Sequence, residues 1–111
     1  MQTTIETDPI LSHLRTELVR LKPHIRQLIL FGSRARGEAD PDSDYDLLAI
    51  VDQVTHPLKA EISRLAGDFL YDYNILLSLL PVEEVRYNDD LYEPLFINIR
   101  REGVILWQHS P

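Results

Sequence analysis

Cysteine is absent from the 111 residues, which excludes a disulfide framework and any thiolate metal site. That absence fits a reducing compartment, and a cytoplasmic location is expected. Long apolar runs are missing as well. The runs around Leu28–Phe31 and Ile75–Leu80 fall far short of the roughly 20 residues that a bilayer span requires, so no membrane segment is expected. The first ten residues, MQTTIETDPI, have neither a basic nor an apolar region of the kind that makes a signal peptide. Cations are scarce: 11 Lys and Arg stand against 18 Asp and Glu, for a net charge of -7. Binding to duplex DNA or bulk RNA rests on neutralising phosphates, so this balance disfavours both and suits a basic partner surface better. A small anionic ligand would need local positive groups or a metal. Repeats, low-complexity tracts and linkers are also lacking. What remains, 44% apolar and 26% charged residues, is the composition of an ordinary globular protein. The length predicts a single domain over residues 1–111, with the polar residues 1–7 loose.

The stretch around which the chain is organised is Leu28 to Asp52, LILFGSRARGEADPDSDYDLLAIVD. Before it, Asp8-Pro9 starts a helix, with Asp8 as N-cap and Pro9 in the first turn. Ile10, Leu14, Leu18 and Leu21 form its apolar stripe, and Lys22-Pro23 ends it. His24–Phe31 reads as a strand buried on both faces at its C-terminal end. Gly32–Ser43 is turn and loop, with one helical turn possible over Ser33–Arg36. Asp46–Val51 is the second strand and Asp52–His56 a turn. Pro57 opens a helix with Leu58, Ile62, Leu65 and Phe69 inward; Gly67 lies inside it. Asp72-Tyr73-Asn74 leads into a third strand, Ile75–Leu80, which Pro81 stops. Val82–Val85 reads as a short turn of helix, Tyr87–Tyr92 as a polar loop, and Asp89 or Asp90 as the cap of a last helix that Gly103 ends. In that helix Leu91, Leu95 or Phe96, and Ile99 point inward. Val104–Trp107 closes the chain as a strand or extended tail. The order α-β-β-α-β-α-(β) predicts an α+β, two-layer fold: a small mixed sheet with helices packed on one side.

Gly32-Ser33 directly after a buried strand permits a sharp turn and a close approach of ligand to backbone amides. If Ser33 begins a helical turn, N–H groups and a hydroxyl face whatever sits there, and a phosphate is the natural occupant. Arg34 and Arg36 add positive charge. Read blandly, the same residues make a tight turn with two solvated arginines. Asp44 and Asp46, two apart on a strand, share a face about 7 Å apart along the chain. Two such carboxylates repel unless a cation intervenes, and hard oxygen ligands of this kind suit Mg²⁺, which takes one or two carboxylates plus substrate phosphates. The apolar LLAIV that follows distinguishes them from a merely solvated acidic loop.

Two other motifs fail on single positions. Asp40-x-Asp42-x-Asp44 starts like a calcium loop, but Tyr45 stands where glycine is needed and Val51 where glutamate is needed. Gly32-x₄-Gly37 has P-loop spacing, but Glu38 follows in place of lysine. His13, His24, His56 and His109 lack metal spacing, and Tyr92 and Trp107 are candidates for core or interface.

The run Gly32-Ser33-Arg34-Ala35-Arg36-Gly37, followed by Ser43-Asp44-Tyr45-Asp46-Leu47, resembles the GSxxxG…SDxDL signature of the DNA polymerase beta-like nucleotidyltransferases. The small size is similar to that of the minimal nucleotidyltransferases. The signature covers about fifteen residues, and Ile99–Val104 is similar to the close of many such domains. The resemblance implies ATP with its β- and γ-phosphates at Gly32 and Ser33, with Arg34, Arg36 and Ser43 in the nucleotide site. It further implies Mg²⁺ held by Asp44 and Asp46, two metals about 4 Å apart, and pyrophosphate as leaving group. A third carboxylate on a neighbouring strand completes such sites and helps deprotonate the acceptor. Asn74, the nearest match by position, has no charge and is a poor base; either Asp72, two residues back and on the same strand face, serves instead, or the site is incomplete. Minimal nucleotidyltransferases often act as antitoxins that transfer AMP from ATP to a tyrosine of a HEPN ribonuclease toxin, which implies a hetero-oligomer with such a partner. The alternative is an impaired nucleotide-binding module that neutralises its partner by contact.

Overall fold

In the structure, a computed structural model, Asp8 does cap the first helix. Its Oδ1 accepts from the N–H groups of Ile10 and Leu11 at 2.9 and 3.2 Å, and Pro9 takes the first turn, where its missing N–H costs nothing. Residues 8–18, 20 and 25–108 are described; Leu21, the Lys22-Pro23 stop, His24 and His109 lie outside them. Helix α1 is Pro9–Leu18, and its buried residues are Leu11, Leu14 and Leu18. The stripe therefore runs through Leu11, with Ile10 only partly buried against the same core.

Strand β1 (Ile25–Phe31) pairs antiparallel with β2 (Tyr45–Val51). Helix α2 is His56–Tyr73, capped by Thr55, whose side chain accepts from Leu58 N–H. Leu58, Ile62, Leu65 and Phe69 are its buried face, as the spacing predicts. The next boundary differs from expectation. α2 runs on through Asp72 and Tyr73, and Asn74 ends it in the left-handed conformation at φ 53°, its N–H donating to Leu70 O. Asparagine tolerates that conformation better than most residues. Strand β3 is Leu77–Glu83, parallel to β2, and it continues through Pro81. Proline is admissible there because β3 lies at a sheet edge and needs no ladder donor on its open side.

Helix α3 is Glu84–Asp89, and Tyr87 within it is buried rather than part of a polar loop. Helix α4 is Pro94–Glu102, and its cap is Glu93, whose side chain accepts from Leu95 N–H, not Asp89 or Asp90. Phe96 and Ile99 are its buried residues; Leu91, expected inward, is 57% exposed. Gly103 ends α4, and strand β4 (Val104–Gln108) pairs antiparallel with the far side of β1. The mixed sheet thus has the order β3-β2-β1-β4.

The α+β class stands, but the helices do not all pack on one side. Alternation along the central strands sends Leu28, Leu30, Leu47, Ala49 and Val51 to a core with α1 and α2. Ile29, Leu48, Ile50 and Val82 go to a second cluster with Tyr87, Phe96 and Ile99 of α3 and α4. Two buried faces explain why β2 reads DLLAIV without polar interruption after Asp46. Burial of each large side chain contributes about 1.5–3 kcal/mol. Among the described residues, no helix is long and apolar enough to cross a membrane.

Candidate active site

The central hairpin brings the glycine turn and the acidic pair together. Phe31 is the register partner of Asp46, so Gly32 lies beside the mouth of β2. Gly32 has φ 76°, a conformation that side chains disfavour. A Cβ there would overlap Asp46 Oδ2 and stand 3.2 Å from its Cγ. Glycine is needed for the turn and also to leave room for the carboxylate.

After Gly32 the chain makes the single helical turn that the sequence allows. Ala35 N–H and Arg36 N–H donate to Gly32 O at 3.1 and 3.2 Å, and Glu38 N–H donates to Ser33 O at 2.9 Å. The amides of Ser33 and Arg34 precede the first bond within this turn, as the leading amides of any helical turn do. Gly37, at φ 73°, leads out of it.

Asp46 is half-buried on β2, and Asp44 is exposed one residue before the strand. Burial pushes the Asp46 carboxyl above the ordinary aspartate value, the charge of Asp44 adds to that, and Arg36 offsets part of it. A carboxylate that is short of water and faces a second negative charge gains from a cation. Two carboxylates do not make a cage for a metal, but they match the donor set of Mg²⁺ that takes its remaining ligands from phosphates and water. The residues present therefore fit that ion.

The two arginines differ in kind. Arg36 is exposed; its Nε donates to Glu38 Oε1 at 2.7 Å and its Nη1 to Glu102 Oε2 of α4 at 3.4 Å. Both partners are surface carboxylates that a phosphate could replace. Arg34 is committed to the loop itself, donating to the carbonyls of Ser43, Pro41 and Asp40. Ser43 closes the same loop: its Oγ accepts from Asp40 N–H at 2.9 Å and its N–H donates to Asp40 O at 3.0 Å.

Asp72 does not stand where the sequence reading put it. It lies in the last turn of α2, so it shares no strand face with Asp44 or Asp46. Among the described residues no third Asp, Glu, His or Cys joins them in a metal-binding group. The residue of β3 in register with Asp46 is Ser78, which sequence reasoning missed because it began the strand too early. It also missed Tyr45 and Asp8 as a linked pair. The Tyr45 hydroxyl donates to Asp8 Oδ2 at 2.7 Å, and alternation between two aspartates was the one available sign that Tyr45 faces inward.

The sequence model of the nucleotidyltransferase domain matches residues 11–102. The chain is 41% identical over 59 residues to a protein of Methanocaldococcus jannaschii provisionally named a protein adenylyltransferase, covering 52% of this chain and 60% of that one. It is 35% identical over 67 residues to the protein adenylyltransferase MntA of Aphanizomenon flos-aquae, covering 60% of this chain and 45% of MntA. The chain thus spans about half the length of these curated relatives. Its fold is similar to a chain in a toxin–antitoxin crystal structure with AMP-PNP (TM-score 0.64, 16% identity, 89% of this chain and 73% of that one). It is also similar to a chain in the complex of tri-AMPylated Shewanella oneidensis HEPN toxin with MNT antitoxin (TM-score 0.56, 14% identity, 88% and 69%). With the signature residues gathered at one hairpin and the family's sequence model matched over most of its length, this chain belongs to the nucleotidyltransferase domain family.

Proposed function

We propose that the chain is a Mg²⁺-dependent adenylyltransferase that moves AMP from ATP to a hydroxyl of a HEPN-type toxin and so serves as its antitoxin. The observation that carries this reading is the approach of the Gly32 turn to Asp46, so close that a Cβ on Gly32 would overlap the carboxylate. The protein adenylyltransferase names of the relatives and the toxin complexes among the fold neighbours support it.

In this reading the Ser33 and Arg34 amides and the Ser33 hydroxyl receive the β- and γ-phosphates. Arg36 exchanges Glu38 and Glu102 for phosphate oxygens. Asp44 and Asp46 would hold the divalent ion, which would supply charge neutralisation at the phosphates. The acceptor oxygen attacks that phosphorus in line, the bond to the β-phosphate oxygen breaks, and pyrophosphate leaves. The hydroxyl proton goes to water. With α-labelled ATP and Mg²⁺, label is expected on the partner protein with the native chain and not with Asp44→Ala plus Asp46→Ala. No label with the native chain would sink the reading.

A second reading, neutralisation by contact without turnover, is favoured by one observation: no third acidic side chain joins the pair among the described residues. It predicts that the double alanine variant still silences the toxin.

A further inference from the structure

Arg34 is drawn across the loop. Its Nε and Nη2 donate to Ser43 O at 3.1 and 2.8 Å, and Nη2 also reaches Pro41 O at 3.0 Å and Asp40 O at 3.4 Å. Its guanidinium carbon lies 3.8 Å from the centroid of the Tyr45 ring. Tyr45 is 2% exposed, and its hydroxyl is tied to Asp8 Oδ2, the residue whose other oxygen caps α1. Asp44 stands between Ser43, whose carbonyl the guanidinium holds, and Tyr45, whose ring it covers. One side chain thereby restrains the backbone on both sides of the first carboxylate and is anchored through Tyr45 to a separate helix.

We propose that Arg34 is a positioning residue: its side chain holds loop 40–43 and Tyr45 so that Asp44 and Asp46 converge on one divalent cation, and its guanidinium is not a phosphate ligand. The planar fork is what the geometry uses, since two nitrogens share one carbonyl while the face stacks on a ring; a lysine ammonium supplies neither. This rests on the reading that the acidic pair binds a metal.

The two roles predict opposite signs in a measurement that needs no nucleotide. Removing a positive charge beside two carboxylates strengthens their hold on a cation by Coulomb's law alone. Removing the clamp weakens it. Mn²⁺ is titrated into the native chain, Arg34→Gln and Arg34→Lys, with circular dichroism to establish that each is folded. The expected result is a loss of Mn²⁺ affinity on the order of tenfold in both variants, about 1.4 kcal/mol, and a fall in kcat for AMP transfer with the KM for ATP near native. Unchanged or tighter Mn²⁺ binding in Arg34→Gln, or full retention in Arg34→Lys, overturns the proposal. Should either variant fail to fold, the other carries the same test, and Tyr45→Phe, which keeps the ring and loses the Asp8 bond, is expected to weaken Mn²⁺ in the same direction if both fail; unchanged affinity there overturns it too. A native chain that binds Mn²⁺ but transfers no AMP refutes the transferase reading and leaves the role of Arg34 standing.

Discussion

Gly32 is where conformation and chemistry meet in one residue. Its positive φ and its contact with Asp46 make the same demand, that no Cβ be present. Gly32→Ala is expected to cost about 1–2 kcal/mol, the usual price of a left-handed alanine. It should also displace the Asp46 carboxylate, and an ångström of misplacement lowers transfer by roughly 100-fold. Urea denaturation and a labelled-AMP assay measure the two effects; native-like transfer in a destabilised variant would separate them. Asp46 makes the reverse demand on stability. Its carboxyl is held above its ordinary value by burial and by Asp44, so the folded state binds that proton more tightly than the unfolded chain. Without metal, the native protein therefore loses stability as pH rises from the ordinary aspartate range through the raised folded value. Asp46→Asn removes that loss. It is expected to melt higher than the native chain at neutral pH, with the gap closing below the ordinary aspartate pKa. Thermal melts at neutral and acidic pH in EDTA test this, and a variant that melts lower at neutral pH contradicts it. Such an exchange of stability for function is common at active sites.

At the scale of the element, β2 and β3 decide what the site contains. They run parallel with Asp46 against Ser78, and residues in register on a parallel pair project from the same face. Ser78 is exposed between Leu76 and Leu80, so a longer polar side chain fits there without unpacking a core. Ser78→Asp places a third carboxylate beside Asp46. It is expected to tighten Mn²⁺ binding on the order of tenfold through added ligand charge, read by calorimetry, with AMP transfer raised or unchanged. Weaker binding would show that position 78 does not face the ion. Helix α2 was legible as a helix from Leu58, Ile62, Leu65 and Phe69, but its end was not. Asp72-Tyr73-Asn74 reads as the entry to a strand because Ile75–Leu80 is apolar, while in the fold the helix continues until Asn74 can adopt φ 53°. Pro81 misled for a related reason. It stops a central strand, but β3 is an edge strand, and edge position is not written in local sequence.

At the scale of the molecule, the acidic surplus sets how the domain meets another. A net charge of -7 on 111 residues draws a basic partner by long-range attraction, which salt screens over a Debye length of about 8 Å at physiological ionic strength. Association with the proposed HEPN partner is expected to slow on the order of tenfold between low and high salt while dissociation changes little. Stopped-flow mixing across a salt series measures it, and a salt-independent rate contradicts steering. The three-layer arrangement has its own consequence. Because α4 packs on the face opposite α1 and α2, Glu102 at its end can reach Arg36 in the loop. The C-terminal helix is thereby coupled to the proposed phosphate turn.

By itself the order of residues determined the elements of the candidate site: a buried strand, Gly32-Ser33, and Asp44 and Asp46 at the mouth of a second strand. That information is local, carried by turn chemistry and period-two alternation, so a linear reading recovers it, along with the family. Tertiary structure alone decided the rest. The sheet order made β3 an edge, the pairing register brought Ser78 rather than Asp72 or Asn74 beside Asp46, and the packing of α1 placed Asp8 against Tyr45 and, through it, Arg34. Each of these depends on which distant segments lie side by side. Composition and spacing specify what a residue can do; only register and packing specify what it does it to.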